Sequence, residues 1–97
     1  MTYSLHPEAE LDVAKAIDFY VEQAGAKVAA RFLDEFDRVA HLLLENPGFG
    51  TLAKNGRRTF PLKVFPYSVV YRNLDNGLLI LVVRHQRRKP GYGGGRR

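Results

Sequence analysis

The residues best equipped for chemistry lie in the second half of the chain: Arg58, Lys63, Arg72, Arg84, His85, Arg87, Arg88 and Tyr92. Arginine clamps phosphate through paired hydrogen bonds, histidine titrates near neutrality, and a tyrosine gives up a proton or stacks on a base. Together these types suit attack of an RNA 2′-hydroxyl on the adjacent phosphate. That reaction needs a base, an acid for the leaving oxygen, and cations where charge builds up. His85, Arg88 and Tyr92 are the catalytic candidates on that reading, with Arg58, Lys63, Arg72, Arg84 and Arg87 as phosphate- or target-binding groups. The same inventory serves a nucleic-acid binder that catalyses nothing. Asp75 is the only acid after residue 50 and sits in a predicted turn, so the basic half has no carboxylate set to hold a divalent ion. The chain has no cysteine, and no nucleophilic triad, glycine-rich phosphate loop or zinc spacing is present. Neither a cofactor nor a metal is expected.

Each candidate also has a plainer reading. A lone histidine after a buried strand is often a hydrogen-bonding or interface group, and Arg58 and Arg72 also suit solvated strand positions that discourage edge pairing. Tyr67 and Tyr71 share the core side of their strand and read as packing residues. Arg87, Arg88 and Lys89 form a charge run, with Pro90-Gly91 marking the exit of the chain from the sheet. His6 and His41 have no evident partners and are read as structural.

Charge separates the two halves. Residues 1–50 carry four Lys/Arg against nine acids, whereas residues 51–97 carry eleven Lys/Arg against Asp75 alone. So dense a positive surface attracts nucleic-acid phosphates, acidic protein segments or anionic lipid. With 97 residues, 45% of them hydrophobic, the chain has enough apolar material for one small domain. No stretch is apolar for long enough to span a membrane, and the first residues lack the pattern of a signal peptide. The expected compartment is the cytoplasm, with no membrane partner.

The elements that must position these groups follow from periodicity. Thr2 to His6 alternates and predicts a strand ended by Pro7. Glu8, Glu10 and Asp12 then favour the positive end of a helix whose apolar residues Ala9, Val13, Ala16, Ile17, Tyr20 and Ala24 recur every three or four positions. Gly25 stops it. A second amphipathic helix carries Ala29, Phe32, Leu33, Phe36, Val39, Ala40, Leu43 and Leu44 and ends at Asn46-Pro47, making an antiparallel hairpin. Its acids, and those of the first helix, are expected to face solvent on the side away from the basic half. After a loop through Gly56, residues 58–65, 67–72 and 78–84 read as strands, with Asp75-Asn76-Gly77 as the turn between the last two. The last strand, almost wholly apolar, should lie centrally. The predicted class is α+β, in the order β-α-α-β-β-β, with the helical hairpin packed on one face of a mainly antiparallel sheet. The candidate residues are expected on the open face and rim of that sheet. Residues 1–92 form the domain, and residues 93–97, glycine- and arginine-rich, are expected as a loose tail.

The motifs in this order are similar to a known group. The leading Pro7-Glu8-Ala9-Glu10-Leu11-Asp12, Phe32 in an alanine-rich helix and Asn46-Pro47-Gly48-Phe49-Gly50 come first. Arg58, Phe65-Pro66-Tyr67-Ser68-Val69-Val70-Tyr71-Arg72 and Val83-Arg84-His85-Gln86-Arg87-Arg88-Lys89-Pro90-Gly91-Tyr92 follow. Over nearly its whole length the chain resembles the RelE/ParE superfamily of toxins from type II toxin–antitoxin systems, and its ParE-like branch in particular.

That resemblance implies a cognate antitoxin whose extended, often helical segment covers the basic surface, and repression of the shared operon through the antitoxin's hold on operator DNA. An acidic-hydrophobic segment of that kind would be drawn to residues 51–97. It also implies one of two lethal targets. RelE-like members cut messenger RNA on the ribosome without a metal; ParE-like members poison DNA gyrase and are not nucleases. Arg58, Arg72, His85, Arg88 and Tyr92 stand at positions like those of the RNA-cutting branch, while the long helices and Phe65-Pro66-Tyr67 favour the gyrase branch. Gly93-Gly94-Gly95 replaces the aromatic residue that commonly follows Pro-Gly-Tyr. Gyrase inhibition is the preferred expectation and RNA cleavage the alternative. A basic nucleic-acid-binding module without toxicity is a third, and an antitoxin gene beside this one would count against it.

Overall fold

The computed structural model describes residues 2–88 and 91–97. Lys89 and Pro90, to which the charge run and the predicted chain exit extend, lie outside the described residues. The chain begins with strand β1 (Thr2–Leu5), then helices α1 (Pro7–Ala24) and α2 (Ala26–Glu45), strands β2 (Thr51–Leu52), β3 (Arg58–Pro61), β4 (Tyr67–Leu74) and β5 (Gly77–His85). The sheet order is β1-β5-β4-β3-β2. All neighbours are antiparallel except β1 and β5, which run parallel. This is the predicted α+β class, with the short strand β2 added at one edge.

Local rules account for the helices. Pro7 occupies the first turn of α1, the His6 ring accepts the Glu8 N–H, and Gly25 alone separates the two helices at φ 94°, a value that glycine adopts without strain. The hairpin buries Ala9, Val13, Ala16, Phe32, Phe36, Val39, Ala40 and Leu43 against Val69, Tyr71, Leu78, Ile80 and Val83 of the sheet. Phe32 lies at the centre of an aromatic cluster, its ring centroid 5.2–5.5 Å from those of Tyr20, Phe65 and Tyr67. Tyr67 and Tyr71 therefore pack, as their alternation predicted. The buried Tyr71 hydroxyl also donates to the Pro47 carbonyl (2.6 Å) and accepts the Gly50 N–H (2.9 Å), tying the 47–50 loop to the sheet.

Three expectations need correction. The strand predicted over 58–65 ends at Pro61. Residues 63–66 bend instead, because the Glu35 carboxylate accepts the N–H groups of Lys63 (2.6 Å) and Val64 (2.9 Å), which a strand would have given to a neighbour. The helix acids do not all face solvent on the far side: Asp12 is 7% exposed and points to the C-terminal residues. Those residues do not trail away as a loose tail either. Gly93 lies so close to Val82 that a Cβ there would come within 2.4 Å of Cγ2. The segment thus covers the smaller cluster of Val70, Leu81 and Val82, with Leu79 and Tyr92 against it. Strand alternation sets Val70 opposite to Val69 and Tyr71, so this cluster lies on the face away from the helices.

Beside α2, the Tyr3 hydroxyl donates to the Asp37 carboxylate at 2.7 Å, and its ring meets Phe36 and His41 edge-on. Burial, and then the bond to Asp37 and its negative charge, push the Tyr3 pKa up to about 12 from 10.0. The folded chain therefore keeps this proton in a range where the unfolded chain, titrating near pH 10, has lost it. The stabilisation is complete below about pH 10 and disappears as the pH rises towards about 12. Urea midpoints measured from pH 9 upwards should fall more steeply for the native chain than for Tyr3→Phe. Parallel slopes would mean that the Tyr3–Asp37 bond is not maintained in solution.

Candidate functional site

β1 pairs with β5 only as far as Ile80, so beyond that point this edge of β5 has no neighbouring strand among the described residues. Two side chains take the strand's place. The Asp12 carboxylate accepts the Val83 N–H at 3.0 Å, and Arg96 donates to the Leu81 carbonyl at 3.1 Å. The two also join to each other, Nη1 to Oδ2 at 2.5 Å, with both side chains almost wholly buried. Tyr92 completes the group by donating its hydroxyl to Asp12 Oδ1 at 2.8 Å. The guanidinium carbons of Arg88 and Arg96 lie 4.7 and 5.1 Å from the centroid of its ring, a cation–π arrangement. Hydrogen bonding to Asp12 raises the Arg96 pKa above its already high value, outweighing the effect of burial.

Beside this group opens a cleft of about 190 Å³ bounded by Asp12, Lys15, Phe19, Tyr67, His85, Arg88 and Tyr92. His85 packs edge-on against Tyr67 with 5.2 Å between centroids, and its Nδ1 accepts the Arg87 N–H. Burial raises the Tyr67 pKa, partly offset by the charge of Arg88.

The structure thus gathers His85, Arg88 and Tyr92 in one cleft; of the other candidates only Arg84 comes near, sharing a second cavity with Tyr92. Arg58 donates to the Gly50 carbonyl at 2.7 Å and holds the loop before β2. Lys63 lies in the bend anchored by Glu35. Arg72 and Arg84 line two further cavities, each shared with the C-terminal segment, and Arg87 is exposed in the turn after β5. The open face expected to carry a converging basic site is instead covered by residues 91–97, because the small cluster around Val82 needs an apolar cover.

Three residues of this region escape sequence reasoning. Asp12 reads as a helix-dipole acid, Arg96 as part of a loose tail, and Arg57, next to Arg58 in sequence, carries no signal of its own. Arg57 is 8% exposed and donates to the carbonyls of Gly93 (3.1 Å), Gly94 (3.2 Å) and Arg96. Only the alternation of Arg57 and Arg58 to opposite sides could have signalled different roles. His6 and His41, read as lacking partners, have local ones: Glu8 N–H for the first, and the Asp37 carbonyl with the Tyr3 ring for the second.

A helical hairpin thus closes over one face of a five-stranded sheet, with a buried charged cluster where the last strand meets the first helix. The profile of the ParE toxin of type II toxin–antitoxin systems, parDE, matches residues 3–90, and the chain belongs to that family. Among solved structures, the chain is similar in fold to one described as the chromosomal ParDE TA system from P. aeruginosa. The TM-score is 0.77 at 24% identity, over 88% of this chain and 95% of that one. Comparison with curated protein sequences gives no match. Among the described residues no helix is long and apolar enough to cross a membrane.

Proposed function

We propose that this member of the ParE toxin family acts in the cytoplasm by binding and inhibiting DNA gyrase, and that a cognate antitoxin neutralises it. The observation that carries the reading is the state of Tyr92. Its hydroxyl proton is committed to Asp12 and its oxygen lies 3.3 Å from Arg96 Nη2, so this phenol has a structural task, and the second phenol at the cleft, Tyr67, packs in the aromatic cluster around Phe32. Arg58 and Lys63 do not line the cleft, which leaves Lys15 and Arg88 as its cations for a phosphorane. A binding surface needs neither.

The antitoxin part rests on shape and exposed apolar surface. A groove of about 490 Å³ runs between α2 and the bend after β3, where Val28, Val64 and Phe65 offer apolar contact and Arg31 and Arg38 alternate with Asp34 and Glu35 along the rim. Val64, 74% exposed, is the most exposed large apolar residue among those described. An amphipathic segment with an apolar stripe and charges of both signs beside it suits this surface, and a DNA-binding antitoxin would bring the pair to operator DNA.

RNA cleavage remains the second reading, favoured by one observation: His85, Arg88 and Tyr92 do share a cleft. One set of variants separates the two. With purified gyrase, the native chain is expected to block supercoiling, and His85→Ala and Arg88→Ala to remain toxic in cells whose messages stay intact. A nuclease would instead lose activity by about 10²- to 10⁴-fold on removal of its acid–base group. Specific message cuts abolished by His85→Ala would overturn the gyrase reading.

A further inference from the structure

A cavity of about 400 Å³, separate from the Tyr92 cleft, is walled by four arginines, Arg57, Arg72, Arg96 and Arg97, together with Asn55 and the Gly94-Gly95 backbone. Among the described residues only Arg96 of the four has carboxylate partners, Asp12 and Glu8. Arg57 is the unusual member. Its terminal nitrogens are held by three peptide carbonyls, but its Nε is buried and has no hydrogen-bond partner among the described residues. Burial, together with the charges of Arg72 and Arg96, lowers its pKa, as expected for a guanidinium whose site lacks a counter-charge. A buried donor without an acceptor costs about 1–3 kcal/mol, and more when charged. Native structures rarely leave such a group without a partner, be it protein, water or ligand.

We infer that the cavity walled by Arg57, Arg72, Arg97 and Asn55 beneath Gly94-Gly95 is a binding site for a phosphoryl group, either free phosphate or the phosphate of a nucleotide. Three arginines without carboxylate partners call for more than one negative charge, which a phosphoryl group carries and a single carboxylate does not. Guanidinium groups present paired donors that match phosphate oxygens. The volume lies in the range of small-molecule sites, roughly 300–1,000 Å³. The site is distinct from the His85 cleft and does not depend on the identity of the lethal target.

The test is titration of the full chain with inorganic phosphate and, separately, with ATP free of divalent ions, at constant ionic strength, followed by calorimetry and amide NMR. Binding should move the amide signals of Asn55, Gly94 and Gly95. Arg72→Gln should weaken it by about tenfold, whereas Lys27→Gln, the same charge loss at an exposed position of α2, should leave it unchanged. Circular dichroism and thermal unfolding of both variants separate lost binding from lost fold. Tighter binding of ATP than of phosphate would support a nucleotide as the natural ligand, and equal binding free phosphate. The inference is overturned if neither probe binds, if both variants weaken binding equally, if the signals that move lie elsewhere, or if only an acidic peptide such as oligoglutamate occupies the cavity.

Discussion

Replacing Asp12 by Ala is expected to lower the stability of the chain by about 3–5 kcal/mol, the usual cost of removing one partner from a buried ion pair. Three losses coincide. Arg96 keeps a buried charge with only the half-exposed Glu8 at 3.7 Å to answer it, the Val83 N–H loses its acceptor, and the Tyr92 hydroxyl loses the carboxylate it donates to. In a domain of this size, with total stability of about 5–15 kcal/mol, that removes a large share. Urea unfolding followed by circular dichroism measures it. Most of the cost is the orphaned charge, so the double variant Asp12→Leu with Arg96→Leu should recover part of the stability lost in Asp12→Ala. A loss below about 1 kcal/mol in Asp12→Ala would match an exposed pair and show that the C-terminal segment does not hold its place in solution.

Phe32→Ala is expected to cost about 3–5 kcal/mol, the range for truncating a buried aromatic residue. Phe32 is fully buried, and the three aromatic rings around it come from α1, from the bend after β3 and from β4. Because each neighbour belongs to a different element, none can collapse into the space without moving its own backbone. The residual cavity should therefore stay open and add its own penalty. Phe32→Leu, which keeps much of the volume, should lose less, and Leu11→Ala, on the exposed face of α1, should stay within about 0.5 kcal/mol. Comparable midpoints for Phe32→Ala and Leu11→Ala would disprove the central place of this ring.

The elements that follow local rules were readable from sequence. The helices appear in the three- and four-residue spacing from Ala9 to Ala24 and from Ala29 to Leu44, the hairpin turn in Asp75-Asn76-Gly77, and the central position of the last strand in its unbroken apolar run. What stayed hidden is non-local. Nothing near Asp12 reveals that its partner lies 84 residues away, and nothing near Arg96 distinguishes it from a terminal charge. Glycines in a row read as freedom. Here Gly93 is instead the residue small enough to lie on Val82, at φ 78°. The same gap explains the candidate site: His85, Arg88 and Tyr92 are near in sequence and meet, while Arg58 and Lys63 belong to strand-edge and bend positions whose contacts only the assembled sheet defines.

The pairing of β1 with β5 bears on how the protein is made. Thr2–Leu5 align with Gly77–Ile80, and the Asp12–Arg96 bond closes an even longer loop. A chain is synthesised from its N-terminus, and contacts so far apart in sequence form late because loop closure must precede them. While residues 77–80 are still missing, β1 has no strand to join and the hairpin has only part of the sheet to cover. Native structure therefore waits until residues 77–96 have been made, so a growing chain stalled before them is a candidate for proteolysis.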